Sequence, residues 1–216
     1  MKARGQVNRI AGAVLGAIVL AAVATGCAST PSAGAAATLG SREIANDTVT
    51  SQVNEIQQQR GVQVGAADAA LVTEVLQRMM ITDLVDEAAV RNGVVVTQGQ
   101  VDQAMSEAAT QLGGKDQLIS VFLDSNVPES AIPGQFQLSL QVEALGALLA
   151  PDADPNTRQQ AVFGYAVDLG KELDVRVSPR YGSWVPDQLQ LGPAPTDLST
   201  PQAPQVDPLV GLVPSG

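Results

Sequence analysis

The chain has 216 residues, 45% of them apolar and 3% aromatic, with 22 acids against 12 bases, one cysteine and no histidine. That apolar share is ample for one domain of ordinary size. The missing histidine excludes Ser-His-Asp and Cys-His catalysis and the usual histidine-bearing zinc site, the single cysteine excludes an internal disulfide, and a net charge of −10 speaks against nucleic acid as a partner.

The first 26 residues hold Lys2, Arg4 and Arg9 and no acid, followed by an uncharged apolar run over 10–24. The run is too short to span a bilayer comfortably and leads into small residues, which is the pattern of a secretion signal. Its exit, Ala24-Thr25-Gly26-Cys27, resembles a bacterial lipobox, although the position three before the cysteine is Ala24 where leucine is usual. The resemblance implies a diacylglycerol on the Cys27 sulfur and an extracytoplasmic protein held at the cell membrane by its lipid. Ala22-Val23-Ala24 also fits an ordinary A-x-A cleavage site, after which Cys27 would stay a free thiol. A lone thiol in an oxidising compartment is an oxidation hazard, which favours lipidation. Loss of the signal leaves nine bases against 22 acids, a charge of −13. Attachment to the membrane then rests on acyl chains and not on attraction to anionic lipid.

Residues 27–35 are small and uncharged and read as a tether. Residues 36–184 form the compact region, and 185–216, rich in proline and without lysine or arginine, read as an irregular tail. Within the compact region Leu71/Val72, Val75/Leu76, Met79/Met80 and Leu84/Val85 form an apolar stripe on a long helix that ends at Asn92-Gly93. Thr97 and Gln100 make a capping box for a second helix with Val101, Met105, Ala108 and Leu112 inward, stopped by Gly113-Gly114. The following Lys115 does not turn that pair into a phosphate loop, since no strand precedes it and no Ser or Thr follows. A short helix over 115–124 buries Leu118, Ile119, Phe122 and Leu123. Phe136, Leu138, Leu140 and Val142 alternate as in a strand, but the helical composition that follows and the lack of a strand partner favour a helix from near Pro133. Asp154-Pro155 opens the last helix, with Val162, Ala166, Leu169 and Leu173 on one face. Short extended pieces, 38–44 and 175–177, bracket the helices and are expected to pair.

A short strand with ATLGSREI at 37–44, the turn and helix start NGVVVTQGQVDQAM at 92–105, and a returning strand with VRVSPRYGSW at 175–184 resemble, in that order, the SurA-type N-terminal domain of actinobacterial lipoproteins. The resemblance implies a mainly α fold, a helical bundle closed by a two-stranded antiparallel pairing of its ends. It also implies chaperone-like binding of unfolded or extended exported polypeptides, with no cofactor and no metal. Full-length members often carry a parvulin-type isomerase domain of about a hundred residues, for which the segment after Trp184 is too short and too rich in proline. Isomerase activity is therefore not expected, and neither is another enzyme, because no acid, base and nucleophile come together. Asp83, Asp86 and Glu87 read as a solvated helix face, and no two acids are singled out as a glycosidase pair.

The expected site residues follow. Leu39, Ile44, Val175 and Val177 close the bundle, with Tyr181 and Trp184 covering its open end. Met79, Met80 and Met105 are candidate lining for a pliable peptide-binding cleft, and Cys27 is the lipid attachment. The alternative function is a dedicated adaptor or structural subunit of one cell-envelope complex, with the proline-rich segment as an extended ligand.

Overall fold

The structure, a computed structural model, describes residues 34–194. Cys27, the signal segment, most of the tether and residues 195–216 lie outside the described residues.

The chain enters through a hairpin. Strand β1 (Ala35–Leu39) pairs antiparallel with β2 (Arg42–Ala45), so the segment read as one extended piece turns back at Gly40, whose φ of 59° suits glycine. The Gly40 N–H donates to the Leu173 carbonyl at 2.9 Å, which ties this turn to the far end of the domain. On its other edge β1 takes the returning strand β3 (Arg176–Val177), with Ala37 opposite Val177 and Thr38 opposite Arg176. The closure of the two ends is as expected, but the sheet has three strands in the order β2-β1-β3 where two were expected. Ala37 is flanked by Ile44 on one side and Val177 on the other. Ala36, Ala37, Leu39 and Ile44 are buried, with Val175 and Val177 packed beside them.

Helix α1 (Asn46–Gln59) has no counterpart in the sequence reading. Its Val49, Val53 and Ile56 keep helical spacing, but they are diluted by Asn, Gln, Ser and Thr. Gln57 is buried and gives both ends of its amide to the next loop, donating to the Ala66 carbonyl at 2.9 Å and accepting from the Gly65 N–H at 2.8 Å.

Helix α2 (Ala69–Arg91) is capped by Asp68, which accepts from the Leu71 N–H, and it buries Leu71, Val75, Leu76, Met80, Leu84 and Val85. Helix α3 (Gln98–Leu112) starts with the Thr97–Gln100 capping box and stops at Gly113, which is left-handed. The apolar run from Val101 turns away before its end, and Leu112 is exposed where it was expected inward. Helix α4 (Lys115–Asp124) leads through a 3-10 turn, Glu129–Ala131, into α5 (Ile132–Leu149). The alternating run at 136–142 is helical, as its missing strand partner required. Helix α6 (Pro155–Glu172) begins at Asp154, whose carboxylate accepts from the Asn156 and Thr157 N–H groups. It crosses α5 so closely that a Cβ on Gly146 would lie 3.0 Å from the Arg158 Cβ.

Past Trp184 the chain does not become irregular at once. Strand β4 (Ser183–Val185) pairs with β5 (Gln190–Gly192), placing Trp184 opposite Leu191. Leu189 is buried, and the Leu191 N–H donates to Gln77 Oε1 on α2 at 3.1 Å. The folded region therefore runs at least eight residues beyond the boundary read from the sequence. Proline content masked two leucines, Leu189 and Leu191, that pack into or against the core.

The interior has two parts. The main core joins the sheet, α1, α2, the C-terminal half of α5, α6 and β5. A second, smaller core holds Leu118, Val127 and Ile132, with Met105, Ile119, Phe122 and Phe136 around them. Phe122 and Phe136 meet there with ring centroids 5.5 Å apart.

Candidate functional site

The closing end of the bundle is built by the segment that stood out in the sequence. Pro179 ends the β3 pairing with a 3-10 turn, Pro179–Tyr181. The turn brings the Tyr181 hydroxyl to Asn46 at the head of α1, where it donates to Oδ1 at 2.9 Å. Arg180 lies over the Tyr181 ring, 4.6 Å from its centroid, and donates to the same hydroxyl. Arg176 pairs with Asp174, which holds its guanidinium above the usual range. Trp184 packs on the main core with its indole Nε1 enclosed and without a hydrogen-bond partner. These side chains are occupied with one another and with the bundle, and they line none of the three clefts described next.

The three methionines are not brought together. Met80 is fully buried in the main core between the helices, so it is packing and not cleft lining. Consecutive residues on a helix point about 100° apart, so Met79 packs against the edge of the core that Met80 fills and is only partly buried. Met79 lines a cleft of about 220 Å³ with Gln52, Arg78, Thr82 and Asp83 on one side and Ser130, Gly134 and Gln135 on the other. Met105 lines another, of about 420 Å³, between α3, α4 and the start of α5, with Ala109, Leu118, Ile119, Ile132 and Pro133. One ridge, residues 129–135, separates the two: Glu129, Ile132 and Pro133 face the larger cleft, and Ser130, Ala131, Gly134 and Gln135 the smaller. A third opening of about 390 Å³ lies across Arg78, beside Glu74, Phe122 and Val127.

The clefts lined by Met105 and Met79 differ in chemistry. The larger is apolar, with one ion pair on its rim, Lys115 to Glu129 at 2.9 Å, whose hydrogen bond raises the Lys115 pKa. The smaller is edged with amides, hydroxyls and charge. Burial lowers the Arg78 pKa, with Glu74 opposing, and burial raises that of Asp83, with Arg42 opposing. Asp83, Asp86 and Glu87 are not a freely solvated face. Arg42 reaches Asp83 at 3.6 Å and Glu87 at 4.0 Å, Arg91 bonds Glu87 at 2.8 Å, and Asp86 accepts from Gln141 at 2.9 Å. Each acid is engaged with a structural partner. Among the described residues no cluster of His, Cys, Asp and Glu could hold a metal ion.

Ile132 and Pro133 were missed as site residues. Their sequence signal was only the helix start, where proline is favoured, and that says nothing of a cleft beside it.

The fold is thus a helical bundle closed by a small sheet, with an open apolar cleft on one side. The family model for a SurA-like N-terminal domain matches residues 3–116, ending in α4, and no other family model matches. The chain belongs to that family, which is chaperone-like, and no family model for a parvulin-type domain matches it. No curated protein and no solved structure matches the chain.

Proposed function

We propose that this protein is a membrane-anchored extracytoplasmic lipoprotein that binds unfolded or extended segments of exported polypeptides without catalysing a reaction on them. The observation that carries the reading is the half-open apolar cleft between α3, α4 and the start of α5. Its roughly 420 Å³ falls in the range of about 300–1,000 Å³ typical of binding pockets. Met105 gives it a wall that can repack around different side chains. Membership of a chaperone-like family supports the same reading. Cys27 and the segment before it support anchoring by lipid.

Two assays on the full-length protein test this. The protein should slow aggregation of a reduced, unfolded client, and a photocrosslinker at Ile119 should capture many exported polypeptides in cells. Absence of both effects would sink the proposal, and capture of a single stoichiometric protein would replace it with a dedicated adaptor.

A further inference from the structure

The larger cleft stands apart from the other two in what it leaves uncovered. The openings beside Arg78 are edged by polar groups that already have partners. Arg78 Nη1 donates to the Asn126 carbonyl and its Nη2 to Gln52 Oε1 at 2.8 Å. The same α4–α5 connection is held by Arg60, whose Nη2 donates to the Leu123 carbonyl at 2.6 Å. The cleft between α3, α4 and α5 has instead a floor of Leu118 and Ile132, both buried, and walls of Met105 and Ile119, both half-buried. An aliphatic side chain that displaces water from such walls gains free energy whatever its sequence context. The rim carries one base among the described residues, Lys115.

The chain holds a segment that matches this chemistry. Residues 206–214 read Val-Asp-Pro-Leu-Val-Gly-Leu-Val-Pro, five aliphatic side chains and one acid with no base. Four of the five fall between Pro208 and Pro214, in a run too short for an amphipathic helix that would cover them. The folded domain releases the chain from a fixed point. Leu189 is buried, the Leu191 N–H donates to Gln77, and Ser183 Oγ donates to the Pro193 carbonyl at 3.3 Å. From that point the cleft lies across α2 and the α4–α5 connection. Gln77 adjoins Arg78, Arg78 bonds Asn126, and Glu129, three residues further on, stands on the cleft's rim. A helix is about 10–12 Å wide with its side chains. Leu209 is fifteen residues beyond Ala194, a reach of up to about 50 Å.

We propose that residues 206–214 occupy the apolar cleft when no client is bound, with Leu209 and Leu212 against Met105 and Ile119 and Asp207 toward Lys115. The inference rests on the function proposed above for the cleft, because walls that take an extended apolar client take this segment by the same chemistry. The domain thus carries its own competitor. A tethered segment stands at its site at an effective concentration of about 1 mM. With an intrinsic dissociation constant of about 0.1 mM it leaves the cleft free roughly one-tenth of the time, and client affinity falls about tenfold.

Leu209→Asp combined with Leu212→Asp in the full-length protein tests this. Both positions lie outside the described residues, and the change leaves every core residue described above in place. A labelled peptide of alternating leucine and serine should bind the variant about tenfold more tightly than the wild type. In the wild type without peptide, a photocrosslinker at Ile119 should join residues 206–214 of the same chain, and added peptide should compete that product away. Equal peptide affinity in the two proteins would overturn the proposal and leave the function of the cleft standing. So would a crosslink that, in a mixture of isotopically labelled and unlabelled chains, joins only different copies. A peptide that binds neither protein would sink the client-binding function and this proposal with it.

Discussion

The Tyr181 hydroxyl donates to Asn46 Oδ1 at 2.9 Å, joining residues 135 positions apart, and so ties the end of the domain to the first turn of α1. Tyr181→Phe should cost about 1 kcal/mol, the usual net worth of one such bond. Trp184→Ala should cost more, about 2–4 kcal/mol, because it empties a packed site. Thermal melts should then fall by about 2–4 °C per kcal/mol, with client binding nearly unchanged. Weakened binding at an unchanged melting temperature would return this segment to the role of a binding site.

Met80 and Met105 look alike in the sequence but should behave differently. Met80→Ala leaves a void in the main core and should cost about 2–5 kcal/mol without altering client affinity in the folded fraction. Met105→Asp places a charge in the apolar cleft and should lose most aggregation suppression while melting close to wild type. Reversed phenotypes in a paired melt and aggregation assay would move the binding surface elsewhere.

Burial raises the Asp83 carboxyl above its ordinary value of 3.8, and Arg42 only partly opposes it. An acid whose folded-state pKa exceeds its unfolded one binds more protons when folded, so its contribution to stability falls as pH rises between the two values. Asp83→Asn cannot ionise and should therefore flatten the decline in melting temperature upward from about pH 4. A steeper decline in the variant would show that Arg42 pairing outweighs desolvation.

Cys27 should take up lipid. Metabolic labelling with a fatty acid should mark the wild type, and Cys27→Ala should lose the label and leave the membrane fraction. An unlabelled wild-type protein would favour cleavage after Ala24 and a free thiol.

Elements whose signals are local were legible in the sequence. Asp154 as a cap, the Thr97–Gln100 box and the glycines at 93 and 113 each act within a few residues, and all stand where their chemistry put them. Helix α1 was hidden because three apolar residues in fourteen positions give a weak stripe, and its burial comes from partners elsewhere. The β4–β5 hairpin was hidden for a related reason. Leu189 and Leu191 are core only because α2 lies beneath them.

The sequence alone determined the helical class, the places where most helices start and stop, the pairing of the two ends and the membership of a family, since each depends on local chemistry or on motif order. Only the tertiary structure decided that Met80 is core while Met79 and Met105 line separate clefts, that three acids of α2 are engaged by Arg42, Arg91 and Gln141, and that the α4–α5 connection is held by guanidiniums. Periodicity marks which side of a helix is apolar. Whether that side meets a neighbour or an opening depends on how distant segments cross, and the chain's local order does not encode that directly.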